Sequence, residues 1–106
     1  MPVITVIAPP PLGTLLLGRI ADAVADALGL DAGDVLVTHL PSGATVASGI
    51  PGESDPWPVV TLHGSDRGAE RMDAARAAAE REVREWASET GLRLGGVWTE
   101  WVLPAP

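Results

Sequence analysis

Pro58-Val59-Val60-Thr61-Leu62 repeats Pro2-Val3-Ile4-Thr5-Val6, with three identical positions and two that exchange one branched aliphatic side chain for another. Both stretches are rich in β-branched residues and apolar on consecutive positions, the composition of a strand that is covered on both faces. The same strand thus occurs twice, and the chain is built from two copies of one supersecondary unit.

In the first copy, the strand running from Pro2 to Ala8 stops at Pro9-Pro10-Pro11, which have no N–H to donate to a sheet ladder. From Thr14, read as an N-cap, apolar residues recur at Leu17, Ile20, Ala21, Val24 and Leu28, with Arg19, Asp22 and Asp26 on the other side. That spacing predicts an amphipathic helix closed by Gly29. Val35 to Leu40 reads as the next strand and Pro41-Ser42-Gly43 as its end, giving a βαβ unit over 2–40. In the second copy, a helix is predicted over 69–90, with Met72, Ala75, Ala79, Val83 and Trp86 inward and Gly91-Leu92 closing it as Gly29-Leu30 closes the first. Val97 to Leu103 is the final strand, with tryptophan on both faces and Pro104 as its stop, so the second unit covers 58–103. The connection 41–57 carries prolines at 41, 51 and 56, and Ala44 to Ser48 within it has the composition of a short extra strand.

These 106 residues suit a single domain with one modest core. The expected fold is a two-layer α/β (α+β) arrangement, two βαβ units forming a four-stranded mixed sheet with two helices on one face. The first strand of each half is apolar on both sides, so the uncovered sheet face is expected to be buried against other subunits of a closed oligomer. The ferredoxin-like βαββαβ module has the same order of elements and stays open as an alternative, with a regulatory or ligand-binding role.

Composition narrows the chemistry. A net charge of -7, with no block of basic residues, disfavours nucleic acid and anionic membrane surfaces as partners. There is no cysteine, and two histidines without a ligand motif such as HExxH argue against a metal site. No glycine-rich phosphate signature is present, and no cofactor is expected. All seven basic residues are arginine, so the only conventional amine is the N-terminal one. No targeting or bilayer-spanning segment is read, and a cytoplasmic location is the expectation. The lysine-free, Ala/Gly/Arg-rich composition suits a GC-rich bacterial gene.

Met1-Pro2 leading directly into a Pro-Val-Ile-Thr-Val strand, the matching start at Pro58, and an amphipathic helix ending in Gly-Leu together resemble the tautomerase superfamily. The likeness covers nearly the whole chain and is to the fused double form, in which two units resembling 4-oxalocrotonate tautomerase make one polypeptide with the architecture of macrophage migration inhibitory factor. The resemblance implies a homotrimer and an isomerase that moves a proton on, or adds to, an unsaturated keto or enol small molecule. It also implies that Pro2, freed of Met1, is the catalytic amine. An α-amine ionises at about 7.7 to 8 in water, and an apolar pocket or nearby cation lowers this, so it can serve as a base near neutrality.

The chain departs from the family where dicarboxylate-handling members carry arginine, because neither Ala8 to Gly13 nor Val35 to Leu40 contains one. Arg67, in the turn after the third strand, and Arg71, at the start of the following helix, are the remaining candidates for binding an anionic substrate. His39 at the end of its strand is a candidate for polarising a substrate oxygen, and Trp101 for stacking on a planar substrate. Glu100, between two tryptophans, is the carboxylate whose setting is most apolar. The competing function is a non-catalytic oligomeric small-molecule-binding or scaffold protein of the same fold.

Overall fold

The computed structural model describes all 106 residues. The chain folds as β1 (Val3–Ala8), α1 (Thr14–Leu28), β2 (Leu36–Pro41), β3 (Val59–His63), α2 (Ala69–Thr90) and β4 (Trp98–Val102). The four strands form one sheet in the order β2-β1-β3-β4, with β1 parallel to β2, β3 parallel to β4, and β1 antiparallel to β3. Each half therefore pairs its own two strands directly. A split βαβ unit, as in the ferredoxin-like module, would insert a strand between them, so the strand order excludes that alternative.

The halves are related by an approximate two-fold axis through the sheet centre. Thr5 and Thr61, equivalent positions of the repeat, lie directly opposite each other across the β1/β3 ladder. The equivalence extends to the flanking hydrogen bonds: Leu36 N–H donates to Pro2 C=O at 3.1 Å, and Trp98 N–H donates to Pro58 C=O at 2.9 Å.

Alternation along the strands separates two faces. Ile4, Val6 and Ala8 of β1 and Val60 and Leu62 of β3 point to the helical layer and are fully buried against Leu16, Ile20, Val24 and Leu28 of α1 and Ala75, Ala79, Val83, Trp86 and Ala87 of α2. The inward face of α1 is thus centred one residue earlier than the sequence reading, with Leu16 buried and Leu17 half-buried. In α2 the small residues Ala75, Ala78, Ala79 and Ala87 face inward, which lets the long helix lie close to α1 and the sheet, while Met72 is only half-buried. Both helices end as expected, at Gly29 (φ 68°) and Gly91 (φ 72°), in the left-handed conformation that costs glycine least.

Two local expectations are corrected. Thr14 is the first helical residue and Gly13 the N-cap, with no side-chain capping bond, because the preceding prolines hold the entering chain extended. Ala44 to Ser48 forms no strand; a hydrogen bond from Ser54 N–H to Thr45 C=O at 2.7 Å instead closes a loop that turns through Gly49 and Gly52, both at positive φ. On the outer side of the helices Arg19 of α1 donates to Glu82, Glu85 and Glu89 of α2 at 3.1 to 3.2 Å. Hydrogen bonding to Glu89 and Glu82 raises the Arg19 guanidinium above its ordinary value against the opposing effect of desolvation.

The other sheet face carries no secondary structure. The register arranges its side chains in three rows: Leu36-Val3-His63-Val102, Thr38-Thr5-Thr61-Glu100 and Leu40-Ile7-Val59-Trp98. Val3, Ile7, Leu36, Leu40 and Trp98 are 37 to 59% exposed on this face. Two largely apolar rows thus flank a polar central one. No helix of the chain is long and apolar enough to cross a membrane.

Candidate functional site

The chain start is anchored by its second residue. The ring of Pro2 is buried with the core, whereas Met1 is 69% exposed. Pro58 is buried equivalently, so the fold itself requires a compact ring with fixed φ at this point of each unit. What distinguishes the two prolines is the residue before them. Trp57 precedes Pro58 within the chain and makes it an imide, whereas the residue before Pro2 is Met1.

At the Pro2 end of the sheet, the register pairs Val3 with His63, so that Gly64 follows beside Pro2 on the neighbouring strand. The turn from Gly64 to Gly68 then carries Arg67 back toward α2, with Gly68 N–H donating to the Asp66 carboxylate at 2.9 Å. The Nε of Arg67 is buried and has no hydrogen-bond partner within the chain. A buried N–H without an acceptor is costly, which sets Arg67 apart from the other arginines of the chain. Arg71 lies in the first turn of α2 and is exposed.

The Trp101 indole N–H donates to Gly64 C=O at 3.2 Å, and its ring lies against Gly64 so closely that a Cβ there would stand 2.8 Å from Cζ2. Trp101 is therefore at the Pro2 end, with its polar atom committed to the backbone. His39 is at the opposite end. Its Nε2 donates to Ala8 C=O at 2.9 Å, and six residue steps of extended strand, about 20 Å, separate Ala8 from Pro2. Since a carbonyl only accepts, Nε2 carries the proton in that bond. Within one chain, Pro2, Arg67 and Trp101 are thus brought to the same sheet end and His39 is not.

Sequence reading missed Gly64, whose lack of a side chain makes room for the Trp101 ring; the His63-Gly64-Ser65-Asp66-Arg67 run was the available signal. It also missed that His39 and Trp101 are equivalent. Both face the helical layer from the outer strand of their unit, and both bond the carbonyl six residues after the proline that leads into its inner strand, Ala8 in one half and Gly64 in the other. Different loop lengths hide this in the linear sequence. Glu100 is exposed, in the polar row of the open face. No group of three or more His, Asp or Glu converges to hold a metal ion. The grooves between the helices and along the 41–57 connection are not lined by Pro2.

No known family profile matches the chain, and no curated protein matches it in sequence. Solved structures do. Macrophage migration inhibitory factor of Toxoplasma gondii superposes with a TM-score of 0.74 at 20% identity, covering 98% of this chain and 90% of that one. A fused 4-OT symmetric trimer gives 0.74 at 17% identity over 96% and 85% of the two chains. Malonate semialdehyde decarboxylase gives 0.63 at 16% identity over 97% and 84%. The chain has the fold of the tautomerase superfamily. It is the double-unit version of that fold, with both βαβ halves in one polypeptide.

Proposed function

We propose that the chain, after loss of Met1, is a tautomerase-like isomerase whose Pro2 amine moves a proton on, or directs addition to, an unsaturated keto or enol small molecule. The observation that carries this is the buried ring of Pro2 beside the turn that bears Arg67, whose Nε lacks a partner. A buried ring fixes the amine in position, and apolar surroundings disfavour the charged form of an amine, which suits it to act as a base. In this reading Arg67 takes the oxygen where negative charge develops, with Arg71 one turn further on as a second cation.

The same reading makes the protein a homotrimer. Pro2 lines none of the grooves between the helices or along the connection, which fits a pocket completed by a second subunit, and the open sheet face offers the apolar surface for assembly. His39 enters the pocket only if a neighbouring subunit brings its sheet end to Pro2, and the similar fused 4-OT structures are trimers.

The test is ketonisation of phenylenolpyruvate followed by absorbance, with protein whose mass confirms the loss of Met1. The expected result is turnover that Pro2→Ala abolishes and that retention of Met1 prevents. A placed proton shuttle contributes roughly 10² to 10⁴-fold, so a loss of that size is the signature sought. Equal turnover by Pro2→Ala would refute the amine mechanism. Retained Met1 in protein from the native host would favour the competing reading of a non-catalytic binding or scaffold protein.

A further inference from the structure

We infer that Trp101 is a positioning residue that presents Arg67 to the Pro2 site by holding the backbone of the turn on which Arg67 rides; this rests on the proposed reading of that site. The indole N–H bonds Gly64 C=O at 3.2 Å, the last carbonyl before the turn, and the ring packs where a side chain of residue 64 would be. Gly64 N–H is held in addition by Val102 C=O at 3.1 Å. Gly64 is thus fixed at its N–H, its carbonyl and its Cα, and the turn leaves β3 in one direction. Three residues later that direction determines where the Arg67 guanidinium stands.

The other half of the repeat shows that this tie is a device of the unit. His39, equivalent to Trp101, bonds Ala8 C=O, equivalent to Gly64, at 2.9 Å. There the following segment is Pro9-Pro10-Pro11, which carries no cation and is stiffened by its own rings. In the second half the segment is Ser65-Asp66-Arg67, with far more backbone freedom, and the tie at Gly64 matters to the group it carries. The packing against Gly64 and the bonded Nε1 tie Trp101 to the backbone at the start of the turn.

The experiment compares Met1-free wild type with Trp101→Phe, Trp101→His and Arg67→Ala. Trp101→Phe keeps an aromatic ring and loses the N–H, and Trp101→His restores a ring N–H of the kind the first half uses. The expected result is a KM for phenylenolpyruvate raised roughly three- to tenfold in Trp101→Phe, the range one hydrogen bond spans. The rise should be reversed in Trp101→His and add nothing when Trp101→Phe is combined with Arg67→Ala, because the two residues act through one contact. An additive double variant, or unchanged KM in Trp101→Phe while Arg67→Ala raises it, overturns the inference. A second readout needs no turnover: the NMR signal of the buried Arg67 Nε–H should be distinct in wild type and Trp101→His and should merge with the exposed arginines in Trp101→Phe. Persistence of that signal in Trp101→Phe also overturns the inference. Failure of Pro2→Ala to abolish turnover refutes the catalytic reading separately and leaves the NMR result to decide the role of Trp101.

Discussion

Ile7→Asp is the substitution that most directly tests whether the open sheet face is an assembly surface. Ile7 lies on the central strand β1, is 37% exposed, and is flanked across the sheet by Leu40 and Val59. In an isolated chain the carboxylate of an aspartate at this position reaches water, so the chain should still fold, at a cost of about 2 kcal/mol for the buried part of the Ile7 side chain. In an assembly the exposed third of Ile7 is covered, which contributes about 1 kcal/mol. Placing an unpaired carboxylate there costs several kcal/mol more. A combined loss of about 4 kcal/mol per interface weakens association by nearly three decades. Sedimentation equilibrium should find wild type as a trimer and Ile7→Asp as a monomer at the same micromolar concentration, with matching far-ultraviolet circular dichroism. Leu15→Asp is the control, because Leu15 is 77% exposed in the helical layer, on the other side of the molecule. A monomeric wild type, or an Ile7→Asp variant that keeps the assembled mass, would refute the reasoning.

Two further substitutions probe the packing behind the site. Leu62→Ala should cost about 3 to 4 kcal/mol by urea unfolding at fixed protein concentration, because its neighbours Ile4 and Val60 are stiff β-branched residues and Trp101 is tied to Gly64, so the void cannot close; a loss below about 1 kcal/mol would show that the site collapses freely. Gly96→Ala should cost about 1 to 3 kcal/mol, because its Cβ would stand 2.5 to 2.8 Å from three atoms of the Trp57 ring. With that ring lifted, a red shift of emission that vanishes in a Trp57→Phe background is expected, and unchanged emission would contradict the packing described.

The architecture was legible because its signal is periodic and occurs twice. The α2 limits at Ala69 and Thr90 follow from an uninterrupted helical pattern between glycines, and the strand starts at Val3 and Val59, one residue after the matched prolines, follow from the repeat. Leu16 and Leu17 were not separable in the same way: in Leu15-Leu16-Leu17 every residue is apolar, and only the placement of α1 on the sheet selects which one is buried. The site was legible in part. Arg67 is conspicuous in a chain with few cations. That His39 and Trp101 spend their ring N–H groups on backbone carbonyls depends on cross-strand register, which no local pattern in either segment encodes.

The peptide bond between Trp57 and Pro58 makes the two matched ends of the sheet chemically unequal. Of two structurally matched and buried prolines, Pro58 is an imide inside the chain, so only the surroundings of Pro2 bear on the amine mechanism proposed above. The two ends of the sheet differ as well: the Pro58 end carries the 41–57 loop and a tryptophan laid on two glycines, and the Pro2 end a short, arginine-bearing turn.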